Sequence, residues 1–355
     1  MDSLTQFALG SAVGVAVMGR RTRLWKAALW GGICGTLPDL DAFIDHGDPV
    51  RNVTYHRAES HALFYLTLTA PLIAWVAARL HGELDRYRRW WLAVWLALIT
   101  HPLLDVMTVY GTQLALPFTD RPFGVGSIFI IDPLYTLPLL VGLAGAVALR
   151  GDRGRRWNLA GLVLANAYLA WSFVAQQYVY GVVHESLAAQ GIRAERVLAT
   201  PTAFNTVLWR VVAIEGEHYY EGFYSLLDTD RQVDLDRFPR NLALYERLRD
   251  DWHVARVAWF SRGFFAMTGR GDQVLISDLR MGQEPYYTFT FAVAKCLEGR
   301  LVPRLPVLLP RNLDVEPILR WMARRLRGER MAPPRGPRPH ALQQGHAASG
   351  PGEAG

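Results

Sequence analysis

The stretch 90–108, WWLAVWLALITHPLLDVMT, decides how this chain is read. It is an apolar run of membrane-span length, since a helix needs about 20 largely apolar residues to cross a bilayer. Near its end stand His101 and Asp105, four residues apart and hence on one helical face. Ionisable side chains are costly in such a segment and tend to serve a function. Pro102 between them would kink the helix while letting both side chains point inward.

Five further segments share this character, at 3–19, 25–44, 61–79, 128–149 and 157–180. The second carries Pro38, Asp39 and Asp41 near its end, so its last part is not simple lipid-facing helix. No basic residue precedes the apolar stretch Leu4 to Met18, and Arg20, Arg21 and Arg23 follow it. That order reads as a retained helix rather than a cleaved signal. From 185 to 312 the chain turns into short runs of β-branched and aromatic residues, such as 206–214 and 286–293, with a helical stretch expected over 240–256. The expected fold is therefore an α-helical polytopic membrane bundle of six segments (1–182) followed by a soluble α+β domain (185–312). A basic amphipathic helix (313–330), able to lie on a membrane surface, and a disordered Pro/Gly-rich tail (331–355) complete it.

Cys34 and Cys296 are the two cysteines, which excludes a CxxC zinc site and argues against a disulfide framework. The net charge of +6 does not point to nucleic acid, because the arginines cluster between apolar runs. The loops after segments one, three and five hold 12 Lys and Arg, and the loops after segments two and four hold 3 (Arg51, Arg57 and Arg121). Basic loops face the cytoplasm. The N-terminus and the chain after segment six are thereby placed outside, so the soluble domain is expected in the periplasm, with membrane lipids as neighbours.

That topology gathers five polar groups on the outer membrane face. They are Asp2 with Thr5; Asp39 with Asp41; His56, Arg57, Glu59 and His61; His101 with Asp105; and Asp132. Imidazole with carboxylate suits zinc, manganese or iron. Two such metals would make a phosphoester substrate attractive, with Arg57 binding an anionic oxygen and Glu59 or Asp105 acting as general base. Asp2 and Asp132 serve equally well as helix caps, and Ser60 as the cap of the helix that follows it. Trp90, Trp91 and Trp95 are expected in an interfacial belt.

Met1–Gln6 (MDSLTQ), Leu37–Asp41 (LPDLD), His56–His61 (HRAESH), Thr100–Asp105 (THPLLD), Tyr110–Gln113 (YGTQ) and Ile131–Tyr135 (IDPLY) resemble the YdjM-type inner-membrane-bound metal-dependent hydrolases. The later motifs Thr202–Asn205 (TAFN) and Tyr219–Ser225 (YYEGFYS) are similar to an extension found in one branch of that family. The resemblance implies a bacterial inner-membrane protein and carries metal ligation onto Asp39, Asp41, His56, His61, His101 and Asp105. Gln6 stands where many members have His, and Ala58 where many have Gly. Two functions are expected to compete. One is a metal-dependent hydrolase at the periplasmic face acting on a lipid or phosphoester, most readily with zinc. The other is a non-enzymatic membrane scaffold or envelope-stress protein holding a structural metal.

Overall fold

The computed structural model describes residues 1–311 and 313–335. Most of the expected disordered tail, 336–355, lies outside the described residues. The first half is helical: α1 (Ser3–Met18), α2 (Leu24–Thr36), α3 (Pro49–Tyr55), α4 (Leu63–Leu80), α5 (Tyr87–Val106), α6 (Pro133–Leu149) and α7 (Gly151–Ala189). Short 3-10 turns at Leu37–Phe43 and Glu59–His61 interrupt it.

All six apolar segments fold as helices, but the expectation of six spans meets a limit. Only α4 and α7, among the described residues, are long and apolar enough to cross a membrane. The helices α1 and α6 are apolar but shorter. The first turn of α5 carries Arg88 and Arg89, and α2 runs for only 13 residues before Pro38 tightens the backbone into the 3-10 turn.

The helices pack through small residues. A Cβ placed on Gly10 of α1 would lie 2.2 Å from the Gly31 carbonyl oxygen of α2, and one on Gly161 of α7 would lie 2.3 Å from the Pro138 carbonyl oxygen of α6. Backbones approach this closely only where side chains are absent, the usual solution for helices that gain nothing from burying Leu against lipid. The core accordingly holds Ala70, Ala74, Ala77 and Ala97, while Leu68, Leu72, Trp75, Leu137 and Val141 face outward. A continuous outer surface of large apolar side chains suits a lipid environment rather than water.

At the end carrying the basic loops, Glu83 accepts hydrogen bonds from Lys26 Nζ (2.9 Å), Thr22 Oγ1 (2.8 Å) and Trp90 Nε1 (3.1 Å). Trp90 is therefore buried and not part of an interfacial belt, because a buried carboxylate needs donors. Trp91 and Trp95 stack on each other nearer the surface.

The second half is sheet-rich. Strands β1 (Arg196–Pro201), β2 (Leu208–Glu215), β3 (His218–Ser225) and β4 (Leu235–Pro239) form an antiparallel meander. After α8 (Leu242–Leu248) and α9 (Trp252–Phe260) come β5 (Phe265–Arg270), β6 (Gln273–Asp278), the short pair β7 (Gly282–Gln283) and β8 (Tyr286–Tyr287), β9 (Thr290–Leu297) and β10 (Arg300–Leu308). The second sheet has the order β10-β9-β6-β5. The helix expected over 240–256 is broken in two, because Asp251 accepts the amides of His253 and Val254 and so starts a new helix.

Alternation along β2 explains how the halves join. Trp209, Val211 and Ala213 pack on Val179, Val182 and Val183 of α7, while Val212 and Ile214 pack with Ala266 of the second sheet and with Phe264 and Leu279, which flank its strands β5 and β6. The strand is thus buried on both faces. The helix α7 continues well past the expected end at 180, and its last turns become the floor of the first sheet. The basic helix α10 (Val315–Arg325) docks on this domain rather than presenting its apolar face to a membrane. Trp321 and Met322 are buried with Phe223 and Leu208, and Arg325 pairs with Asp228.

The crossing of α1 and α2 generates a paired prediction. Gly31→Ala would push a methyl group into the Gly10 backbone, whereas Gly32→Ala would meet only the ring of Phe7, which is partly exposed and free to swing away. Gly31→Ala is expected to cost about 1–3 kcal/mol and Gly32→Ala clearly less, followed by thermal loss of near-ultraviolet circular dichroism in detergent. Equal losses would contradict the crossing.

Candidate metal centre

Three elements bring four side chains to one point. Asp39 comes from the 3-10 turn after α2, His61 from the turn before α4, and His101 and Asp105 from successive turns of α5. Their ligand atoms all lie within 4.8 Å of one another. His61 Nε2 and His101 Nε2 are 3.1 Å apart, and each is 3.4 Å from Asp39 Oδ1. Asp105 Oδ2 lies 3.3 Å from His61 Nε2 and 3.5 Å from His101 Nε2. A tetrahedral ion with bonds near 2.1 Å has ligand atoms about 3.4 Å apart, and these five separations lie close to that value.

Tautomers sharpen the test. His101 Nδ1 sits 2.6 Å from the Gly35 carbonyl oxygen, which can only accept, so the proton is on Nδ1 and Nε2 carries a lone pair. The hydroxyl of Ser60 donates to Asp41 Oδ2 at 2.5 Å and therefore accepts from His61 Nδ1 at 2.8 Å. With both Nδ1 positions protonated, the neutral rings would set two Nε2 lone pairs against each other beside two carboxylates, so the cluster calls for a cation. Asp105 Oδ2 is also buried with no hydrogen-bond partner. A cation between these atoms removes all three conflicts, and a divalent metal ion fits the donor set.

Behind the four lies a supporting layer. Asp41 Oδ1 is 2.8 Å from His56 Nδ1, and Asp41 Oδ2 accepts the Arg57 amide at 3.0 Å. That contact holds Arg57 at φ +67°, a left-handed conformation uncommon for a non-glycine residue. Asp105 Oδ1 meets the Met1 nitrogen and Gln6 Nε2 (3.1 Å), and Arg57 Nε lies 3.2 Å from Asp105 Oδ2. Of the six residues expected as ligands, the structure brings Asp39, His61, His101 and Asp105 together and sets Asp41 and His56 one layer out. Arg57 is buried against Asp105, and Glu59 is exposed in its turn and not among the four.

Asp2 and Asp132 are helix caps. Asp2 accepts the Thr5 amide at 3.0 Å, and Asp132 accepts the Leu134 amide at 3.0 Å and the Tyr168 hydroxyl at 2.9 Å. Ser60 is not a cap: α4 begins at Leu63 with Ala62 as its cap residue. Sequence reasoning missed Ser60 and Gly35 as the groups that fix the two imidazoles. The sequence position of Ser60, beside His61, carried a signal; a backbone carbonyl carries none.

The site lies wholly within the part of the chain that matches a known family, since the YdjM inner membrane protein family matches residues 1–179. The chain belongs to this family. It is also 24% identical over 307 residues to the uncharacterized protein YfhP of Bacillus subtilis (strain 168), an alignment covering 82% of this chain and 90% of that protein. This likeness is too long to stop at the family region and extends into the sheet-rich domain. No solved structure matches the chain.

Purified protein is expected to carry a divalent metal that His101→Ala and Asp105→Asn remove, as read by elemental analysis. Asp41→Asn should retain the site but weaken it by about 10–100-fold, the usual effect of losing a group that orients a ligand, as read by chelator competition. Full occupancy in both ligand variants would refute the centre.

Proposed function

We propose that the protein is a membrane-bound metal-dependent hydrolase with its site at the periplasmic face of the inner membrane, acting on a lipid or other amphipathic phosphoester. The observation that carries this reading is the pair of facing imidazole lone pairs flanked by Asp39 and Asp105. A bound divalent ion, zinc before manganese or iron, would supply Lewis-acid polarisation and an acidified water.

The chain's own residues do the rest. Ser60 and Asp41 keep the His61 proton on Nδ1, and the Gly35 carbonyl does the same for His101. Arg57 offsets the charge of Asp105. Asp39 is the one ligand with an accessible side chain, at 18%, against 0% for the other three. It therefore marks the mouth. The turn that carries it also exposes Leu40, Phe43 and Ile44, an apolar edge suited to the boundary between headgroups and acyl chains. Glu59, exposed two residues before His61, is proposed as the proton acceptor, since Asp41 is taken up by His56, Arg57 and Ser60.

The membrane arrangement belongs to the same proposal. Six helices cross or enter the bilayer, the three basic loops lie in the cytoplasm, and the sheet-rich domain lies outside. Alkaline-phosphatase fused after α7 should be active; an inactive fusion with an active cytoplasmic reporter at the same position would overturn the orientation.

One observation favours a second reading. Four protein ligands complete a tetrahedral shell, and three of them are inaccessible, which is how structural metal sites are built. On that reading the protein is a non-enzymatic scaffold. Metal-loaded protein in vesicles of phosphatidylglycerol and phosphatidylethanolamine should release headgroup or fatty acid, with His101→Ala at least 100-fold slower. If metal removal lowers thermal stability and no turnover is found on lipid or on a chromogenic phosphodiester, the scaffold reading replaces the enzyme.

A further inference from the structure

A cavity of about 460 Å³ opens where the loop between α5 and α6 meets the sheet-rich domain. Arg121 from that loop, Arg196 from β1 and Arg262 from the turn after α9 all line it, and no carboxylate does. Asp120, the nearest acid in sequence to Arg121, is paired with Arg256 instead. Among the described residues none of the three arginines has an ion-pair partner, which sets them apart from Arg57, Arg210, Arg280 and Arg325 of this same chain.

Arg262 is the most constrained of the three. Its Nη1 donates to the Gly124 carbonyl at 3.0 Å, while its Nε is buried with no hydrogen-bond partner. Its backbone stands at φ +55°, a conformation uncommon outside glycine. Burial first, and then the neighbouring Arg280, press its pKa downward, the mark of a guanidinium held without enough negative charge around it. Three arginines around one cavity bring the forked donors that phosphate oxygens accept. Trp259 and Tyr180 line the same cavity and give an organic group a flat apolar wall.

We propose that this cavity is a binding site for a phosphate-bearing organic anion, held at its phosphate by Arg121, Arg196 and Arg262 and at its organic part by Trp259 and Tyr180. Neither the metal centre nor its chemistry enters this inference. Tyr180 lies 29 residues along α7, about 44 Å from its start at a rise of 1.5 Å per residue. A hydrocarbon core is about 30 Å thick, so in the proposed orientation the cavity lies above it, within reach of lipid headgroups and of soluble phosphates alike.

The test uses the full metal-loaded chain in a neutral detergent, and phosphate held by the metal is common to all variants and cancels in the comparison. Inorganic phosphate and glycerol 3-phosphate are titrated calorimetrically, and phosphatidylglycerol binding is followed by native mass spectrometry. The double variant R121Q/R196Q changes two exposed residues and spares the hydrogen bond of Arg262; R270Q/R300Q on the second sheet is the charge-matched control. At least tenfold weaker binding in the first variant, with the control unchanged, is expected. A loss confined to the soluble phosphates assigns the site to a soluble ligand, and a loss confined to phosphatidylglycerol assigns it to a headgroup. Absence of binding by every probe at millimolar concentration, or equal behaviour of the two double variants, overturns the site.

Discussion

Two imidazole nitrogens 3.1 Å apart, each with its other ring nitrogen held by an acceptor and with carboxylates beside both, form an arrangement that calls for a cation. Like charges and lone pairs repel most strongly where water is excluded. Much of the helical half can be understood as the framework that holds this arrangement until a cation relieves it. The glycine crossing brings α1 and α2 close enough for the Gly35 carbonyl to reach His101 and for Gln6 to reach Asp105. The 3-10 geometry of 37–43 sends Asp39 to the centre and Asp41, two residues on, to the layer behind it.

The sheet-rich domain is fastened close to this centre. Tyr110 lies under the Arg57 guanidinium at 4.8 Å, its hydroxyl donates to the Val53 carbonyl at 2.6 Å, and its ring meets Phe260 edge-on at 5.4 Å. Arg280, itself clamped by Asp278, donates to the Tyr110 carbonyl at 2.9 Å. The path from Asp105 through Arg57 and Tyr110 to Arg280 is continuous and buried. Any shift of the domain against the helices is thus felt by the residue that balances the charge of Asp105.

Much of this was legible in the amino-acid sequence, for reasons that differ by element. Hydropathy located all six helices, because apolar runs report environment directly. It overstated how many are of spanning length, since a run of apolar residues does not reveal where Pro38 or a first-turn arginine shortens the usable helix. The run of β-branched and aromatic residues at 206–214 marked β2 to within two residues, whereas the run at 286–293 straddles β8 and the first half of β9. The i, i+4 spacing paired His101 with Asp105 correctly. What spacing could not do was rank six polar residues into an inner four and an outer two, because that depends on how the turns at 37–43 and 59–61 aim their side chains. Trp90 and Ser60 show the same limit: each was given the commonest role of its residue type, and each is taken instead by a buried carboxylate, Glu83 or Asp41.

The unbroken helix α7 has a mechanical consequence. Its 39 residues make a rod about 58 Å long, charged in its first turns, apolar through its middle and packed against the first sheet at its far end. With no proline along it, the rod would act, in the proposed orientation, as a lever whose fulcrum is the bilayer. A change in tilt of about 10°, well within the range that helices adopt as bilayer thickness varies, would sweep its far end, about 40 Å beyond the bilayer midplane, through about 7 Å. The thickness of the surrounding membrane is thereby converted into a displacement of the domain that sits beside the metal centre.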